Sequence, residues 1–429
     1  MDGSTYRFWV GIDWATADHQ VCVLDAARRV LLERSYPHSG VGLAALANEL
    51  GKLAPDDPGQ IAVAIEVPRG PVVEALLERR FHVHAINPKQ LDRFRDRFTV
   101  AGAKDDRRDA FVLAHSLSTD LERFRKLEID APTIIQLREL SRIDEDLRQE
   151  HNRLTNRLRE QWHRYYPQLL ALCSSADEPW LWALWELAPT PARGAKLRVD
   201  RVRRLLREER IRRFSGEEVC AALREPPLVV ALGTTEAAVV HVGLLLPRLR
   251  LVVAERQQCA RQIEALLLAL ETEGEPGQQN EHRDVQILRS MPGIGRVVVA
   301  TMLAEAAQAL AARDYHALRA LCGAAPITRQ SGKSAYVVMR RGCNGRMRNA
   351  VYHWARVCVM LDGHWRARYA ALRARGQTHG RALRAVADRL LNRLVAMLRD
   401  RTLYDAARVR AGAAGHRHAT EVELMPHHA

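Results

Sequence analysis

The stretch Ile61-Ala62-Val63-Ala64-Ile65-Glu66 is a continuous apolar run that ends in an acid, and Pro68-Arg69-Gly70-Pro71 stops it directly afterwards. A strand with one wet face alternates apolar and polar residues, whereas an unbroken run bounded by turn residues marks a strand buried on both faces at the centre of a sheet. Upstream, Phe8-Trp9-Val10-Gly11-Ile12-Asp13 is a second short apolar run ending in an acid. Val21-Cys22-Val23-Leu24-Asp25 and Val30-Leu31-Leu32-Glu33 follow it, split by the turn-like Asp25-Ala26-Ala27-Arg28, so residues 8–33 read as an antiparallel meander of three strands. A helix pattern runs over 42–53, with Leu43, Leu46, Ala47 and Leu50 on one face. Beyond the central run, a helix over 72–80, a strand over 82–86 and a helix from Pro88 continue an alternating α/β region that closes near residue 125.

Composition changes after Pro132. Leu137, Leu140, Leu147, Leu154 and Leu158 recur at helical, near-heptad intervals, and Leu245, Leu249, Val252, Ile263, Leu266 and Leu270 repeat the pattern over 235–273, where Pro247 predicts a kink. Two such helices predict an antiparallel hairpin or a dimerising coiled coil, with short helices over 178–232 between them. Glu273-Gly274-Glu275-Pro276-Gly277 reads as a linker. The expected division is an α/β domain over 6–128, a helical coiled-coil region over 129–280, a mainly α C-terminal domain over 281–405, and a disordered Gly-, Ala- and His-rich tail over 406–429.

The 65 Lys and Arg against 51 Asp and Glu, a net charge of +14, call for a polyanionic partner, with nucleic acid first. The N-terminus lacks the basic segment and apolar run of a signal peptide, and no stretch reads as long enough to span a bilayer, so no membrane is expected. The seven cysteines are odd in number and form no CxxC pair, which predicts reduced thiols in a cytoplasm and argues against a zinc ribbon.

Against this basic background, Lys104-Asp105-Asp106-Arg107-Arg108-Asp109-Ala110 packs three carboxylates into five residues at the start of a helix. Asp105 reads as its N-cap, and Asp106 and Asp109, three apart, share a face. Asp13, Glu66, Asp106 and Asp109 therefore stand at two strand ends and on a later helix. Any one of them is most simply a strand end or a first-turn acid that the helix dipole favours. Together, and in this strand order, they can converge and hold two Mg²⁺ ions for phosphoryl transfer.

In the C-terminal part, Pro292-Gly293-Ile294-Gly295 before a helix is similar to the turn of helix-hairpin-helix modules, where glycines let backbone N–H groups approach a DNA phosphate; an ordinary tight turn between helices reads equally well. From Arg329 to Arg401 there are seventeen Lys or Arg against three Asp or Glu. Ser331 lies in a turn-rich segment among Arg329, Lys333, Arg340, Arg341 and Arg346, cations of the kind that stabilise charge when a serine attacks a phosphodiester. A plain turn serine fits the composition as well, and Ser334 is an equal candidate on that evidence. Trp354, Trp365, Tyr352 and Tyr369 fit core packing or base stacking.

Taken in order, these motifs resemble the transposases of bacterial insertion sequences that carry an N-terminal DEDD, RuvC-like domain and a C-terminal transposase domain, the recombinases guided by a structured bridge RNA. Three stretches carry the likeness: Val10-Gly11-Ile12-Asp13 with Glu66; Asn87-Pro88 leading to Lys104-x-Asp106-x-x-Asp109-Ala110; and Pro292-Gly293-Ile294-Gly295 through Cys322-Gly323-Ala324-Ala325-Pro326 to Arg329-Gln330-Ser331-Gly332. The resemblance implies an RNase H/RuvC-like mixed sheet, with Asp13, Glu66, Asp106 and Asp109 as ligands of two Mg²⁺ ions. It implies Ser331 as a nucleophile forming a phosphoserine link, the Ser-Gly pair favouring it over Ser334. Lys104, Gly293, Gly295, Arg329, Lys333, Arg340, Arg341 and Arg346 are expected to contact nucleic acid. Donor and target DNA, a structured guide RNA and further copies of the chain, as a dimer or tetramer, are the implied partners. A metal-only RuvC-like nuclease and a non-catalytic basic scaffold are the alternatives.

Overall fold

The computed structural model describes residues 6–98, 105–272, 282–332 and 334–407. The expected linker at 273–277 and most of the expected tail lie outside the described residues. The chain divides into two compact units, Met1–Ala131 and Pro132–Ala429.

The first unit is a six-stranded mixed sheet of order β3-β2-β1-β4-β5-β6. β1 (Phe8–Asp13), β2 (Asp18–Asp25) and β3 (Val30–Pro37) form the expected antiparallel meander. After α1 (Gly40–Gly51), β4 (Ile61–Ile65) adds parallel to β1. Then α2 (Pro71–Glu78) crosses to β5 (His82–Ala85), parallel to β4. α3 (Pro88–Arg95) and α4 (Asp106–Thr119) follow. A two-residue β6 (Arg125–Lys126), which the sequence reading did not anticipate, closes the edge antiparallel to β5.

The two central strands carry large and small residues in alternation. Val10, Ile12, Ile61, Val63 and Ile65 point to the side covered by α1 and α2 and form one core with Leu46, Leu50, Val73 and Leu76. The opposite face presents Gly11, Ala62 and Ala64, and there α4 lies down, with Val112, Leu113 and Leu117 packed on the alanines. At Gly11 the approach is so close that a Cβ would stand 1.9 Å from the Ala110 carbonyl oxygen and 2.5 Å from the Ala114 amide nitrogen. Only glycine fits between strand and helix. All five residues of β4 are buried, as the unbroken apolar run predicts.

The second unit is almost wholly helical. α5 (Pro132–Tyr165) is followed by the short helices α6 (Gln168–Leu172), α7 (Pro179–Leu187), α8 (Pro191–Gly194), α9 (Val199–Glu208) and α10 (Gly216–Arg224), then by α11 (Thr234–Thr272). α11 runs as one helix through Pro247. α5 and α11 pack antiparallel. Leu137 near the start of α5 shares a core with Cys259, Ile263 and Leu267, while Leu154, Leu158 and Trp162 near its end share another with Val242, Leu245 and Leu249.

The expectation that no segment could span a bilayer needs correction. Thr234–Glu271 of α11 is long and apolar enough by length and composition, an 18-residue window of it reaching a mean hydropathy of 1.7. The reason is that α11 is apolar on two faces. One packs on α5, and the other carries Val240, Leu244 and Leu251, each at least 59% exposed.

The rest of the unit comprises α12 (His282–Ser290), α13 (Arg296–Ala311), α14 (Tyr315–Leu321), the hairpin β7 (Ile327–Ser331) and β8 (Ser334–Val338), and the helices α15 (Gly345–Leu361), α16 (Gly363–Ala374) and α17 (His379–Asp400). Leu137 and Ile263 join the core made by α12, α13, α15 and α17, so the long helices and the C-terminal helices bury a common interior.

Candidate active site residues

Asp13 is the last residue of β1, directly after Ile12, and Glu66 directly follows Ile65; Ile12 and Ile65 are paired across the parallel β1–β4 ladder. Parallel register therefore brings the two acids out side by side at the C-terminal ends of the two central strands. Asp13 has the parity of Gly11, and Glu66 that of Ala62 and Ala64, so alternation sends both toward the face that α4 covers. Both are partly exposed. Because the Ala110 backbone rests on Gly11, the neighbouring Asp109 is set beside the same end of β1. Small residues on one sheet face thus do the positioning.

α4 begins as its sequence predicts. The Asp105 carboxylate caps it, accepting from the Arg107 backbone N–H at 3.1 Å. Asp106, its first residue, is exposed, and Asp109, one turn on, has a side chain only 2% exposed. A carboxylate that deep needs a partner. It has one that the sequence reading missed: Arg95 of α3 donates from Nε to Oδ1 at 2.6 Å and from Nη2 to Oδ2 at 2.7 Å. The remaining nitrogen, Nη1, donates to Asp92 at 2.6 Å. Burial works against the Arg95 charge, but the hydrogen bonds to Asp109 and the charges of Asp109, Asp92 and Glu66 outweigh it and hold the guanidinium above its ordinary pKa. Glu66 is thus an electrostatic neighbour of the same guanidinium. Arg95 has no motif of its own; the only hint is Asp92-x-x-Arg95, an ordinary intrahelical spacing. Lys104 lies outside the described residues.

The four acids offer oxygen ligands alone, a set that suits Mg²⁺ or Mn²⁺ and not zinc, and on that ground the residues fit a divalent cation, with Arg95 holding both oxygens of Asp109 in this structure. Among the described residues, the one group of three or more Cys, His or acidic side chains whose ligand atoms all lie within 4.8 Å of one another is elsewhere, at Cys173, Asp177 and Glu178, and no three of Asp13, Glu66, Asp106 and Asp109 come that close together. There Arg213 and the Trp180 indole N–H already take the Glu178 carboxylate, so that cluster reads as an ion-paired loop.

In the second unit Ser331 ends β7 and pairs with Ser334 across a two-residue turn. Gly332 in that turn has φ +55°, the left-handed region the connection requires. Lys333 lies outside the described residues. Cross-strand register aligns Arg329 with Tyr336 and Ser331 with Ser334, so these four side chains share one face of the hairpin. All four are exposed, Tyr336 by 52%. The sequence reading took this segment for turns; Ser334-Ala335-Tyr336-Val337-Val338 was the strand signal within it.

The remaining predicted basic contacts divide. Arg341 is exposed. Arg340 is half-buried, its Nε donating to the Ala325 carbonyl at 3.4 Å. Arg346 is turned inward, with Nε 3.1 Å from Glu305 and Nη2 donating to Ser141 Oγ at 3.0 Å. Glu305, 8% exposed at its side chain, also receives the Asn344 amide at 2.9 Å and lies 3.5 Å from Arg142. Gly293 has φ +70°, and a Cβ there would meet the Cys358 amide nitrogen of α15 at 2.7 Å, so its close approach is to another helix. Gly295 caps α13 with open space around it. Trp354 and Trp365 are core residues; Tyr352 and Tyr369 are half-buried.

Residues 10–167 match a family model of DEDD transposase domains of the IS110 type, described as transposase, and residues 285–370 match one described as the transposase IS116/IS110/IS902 family. The chain is 32% identical over 93% of its length to the mini-circle protein of Streptomyces coelicolor named as a transposase for IS117, covering 95% of that protein. It is 29% identical to the uncharacterized 43.6 kDa protein of insertion element IS110 from the same organism, covering 95% of this chain and 97% of the other. To the protein named as transposase y4uE in Sinorhizobium fredii it is 53% identical, over 48% of this chain and 58% of the relative.

Proposed function

The chain belongs to the IS116/IS110/IS902 family of insertion-sequence transposases, and from that premise we propose that it cuts and rejoins DNA with two chemically distinct halves, an acidic metal site and a serine. In the acidic half Asp13, Glu66, Asp106 and Asp109 would hold two Mg²⁺ ions. In the other half Ser331 is the nucleophile: its Oγ bonds to the scissile phosphorus as the P–O bond to a DNA oxygen breaks, and the serine proton passes through water to that leaving oxygen, which departs as a hydroxyl. Bound divalent metal would supply charge neutralisation at the phosphate and activation of an attacking oxygen. The observation that supports this reading best is the pairing of Ile12 with Ile65, which puts Asp13 and Glu66 at neighbouring ends of the two central strands, with the α4 backbone beside Asp109 seated on Gly11.

Arg329 and Lys333 flank Ser331 in sequence and would neutralise the phosphate it attacks; Arg340 and Arg341, with Lys104 in the other unit, would bind backbone. Tyr336, exposed on the Ser331 face, would stack on a base. The exposed turn at Gly295 would approach a phosphate, with Gly293 shaping it. Donor and target DNA are the substrates, a structured guide RNA selects the sites, and the work is done in the bacterial cytoplasm. At least two copies are required, and the exposed stripe Val240, Leu244 and Leu251 on α11 favours self-association by coiled-coil contact. Functionally the chain would divide as an acidic domain over 6–128, a helical spacer over 129–280 and a serine domain over 281–405.

The test is adduct trapping on cognate element ends in Mg²⁺. Wild-type protein and Ser334→Ala are expected to form a covalent protein–DNA adduct, and Ser331→Ala none. Strand cleavage persisting in Ser331→Ala would replace this reading with a metal-only nuclease. DNA binding without any metal-dependent reaction would leave a scaffold.

A further inference from the structure

Arg95 is the cation that the fold itself places on the acidic cluster, and its geometry differs from that of a surface ion pair. Both oxygens of Asp109 are engaged side-on, at 2.6 and 2.7 Å, and the carboxylate has almost no contact with solvent. The charge of Glu66 acts on the same guanidinium. A divalent ion held by Asp109 and Glu66 would therefore enter a field already occupied by a positive group, and the two cations repel. Arg95 is nevertheless not locked in. Its side chain is 25% exposed, it stands on a long flexible stem, and its third nitrogen already rests on Asp92, a carboxylate 65% exposed and one turn earlier on α3.

We propose that Arg95 is a positioning residue that acts as a resident counter-ion: it keeps Asp109 paired and oriented while the site lacks metal, and it withdraws to Asp92 when a divalent ion enters. The inference rests on the reading of Asp109 and Glu66 as metal ligands. A fixed orienting role for Arg95 makes opposite predictions. If Arg95 only orients Asp109, removing it loosens a ligand and metal binds more weakly. If Arg95 competes, removing it frees the ligand, because apparent affinity is the intrinsic affinity reduced by the fraction of molecules in which the site is open.

The experiment is Mn²⁺ titration of the full chain, read as loss of the free-ion electron paramagnetic resonance signal and repeated with Mg²⁺ by calorimetry. Arg95→Gln is expected to bind Mn²⁺ on the order of tenfold more tightly than wild type. Asp92→Asn, which removes the alternative partner at an exposed position that leaves the fold intact, is expected to bind a few-fold more weakly, about threefold. Arg95→Lys, which keeps charge but gives up the two-pronged contact, should fall between wild type and Arg95→Gln. Unchanged or weaker binding in Arg95→Gln, with wild type still binding, overturns the counter-ion role and leaves the ligand assignment standing. Absence of binding in both wild type and Arg95→Gln overturns the ligand assignment and this inference with it. Should Arg95→Gln fail to fold by circular dichroism, the Asp92→Asn titration decides alone: weaker binding supports the exchange, and unchanged binding refutes it.

Discussion

Asp109 and Ser331 stand at opposite extremes of construction. Asp109 sits in the first turn of a helix seated on glycine, its side chain 2% exposed and held by two short charge-assisted hydrogen bonds. Ser331 sits at the end of a five-residue strand whose residues from Thr328 to Ser331 are all exposed, on a two-stranded hairpin that shares little with the core beneath it. A lone hairpin is marginal in water, whereas a buried acid gripped at both oxygens by a guanidinium is oriented by it. The lesson is that one proposed site residue is fixed within its own unit, and under the proposed function the other would be ordered by what it binds. Under the proposed function, an enzyme guarding against premature cleavage would gain from that asymmetry, since the serine would acquire its geometry only in an assembled complex.

The largest expected effect breaks or sustains this contrast directly. Asp109→Ala leaves Arg95 without its buried partner, and removing one member of a buried pair costs about 3–5 kcal/mol; with Arg95 a quarter exposed, a loss near or below the low end, about 3 kcal/mol, is expected. Ser331→Ala touches nothing buried and should stay within about 0.5 kcal/mol of wild type. Urea denaturation measures both. Equal destabilisation by the two substitutions would end the distinction between a built site and an unbuilt one.

The two glycines beside these residues carry the contrast one step down. At Gly11 a Cβ would collide with the α4 backbone, so Gly11→Ala should cost about 1–3 kcal/mol as helix and strand are forced apart, and it should weaken Mn²⁺ binding by moving Asp109 away from Asp13. Gly332 has open space around it, and only its left-handed φ resists a side chain, so Gly332→Ala should cost about 1 kcal/mol. A larger penalty at Gly332 than at Gly11 would show the hairpin to be the more tightly specified element.

That contrast also explains what could be read from the sequence. β1, β4 and the capped start of α4 were legible because each is dictated locally: an unbroken apolar run, an acid at its end, and an Asp before a helical pattern. The alternation Val10-Gly11-Ile12 and Ile61-Ala62-Val63-Ala64-Ile65 was equally visible, and its consequence, a helix lying close on the small face, follows from side-chain size alone. Arg95 was not legible, because a guanidinium among many in an arginine-rich chain reveals its partner only once α3 and α4 are placed. The hairpin was missed because its turn chemistry and its basic residues outweighed a short strand signal. α11 was misjudged for the opposite reason: a second apolar face, beyond the one α5 covers, made a packed helix as apolar as a membrane span.

The smallest expected effects lie in DNA binding, and they separate arginines that look alike in sequence. Arg329 is exposed beside Ser331 on the hairpin, and Arg346 is consumed by Glu305 and Ser141. If the hairpin meets the phosphate backbone, Arg329→Ala should lower the slope of log affinity against log salt by about 1 and leave the melting temperature unchanged. Arg346→Ala should leave that slope alone and instead lower stability by about 1–3 kcal/mol, because Glu305 loses its shortest ion-pair partner in a buried setting. Fluorescence anisotropy with a labelled element end, taken from low to physiological salt on both variants, reads the slopes, and a parallel urea series reads the stabilities. A reduced slope in Arg346→Ala would mean that DNA draws this guanidinium out of its internal network, and the inward half of the basic surface would then be as inducible as the serine.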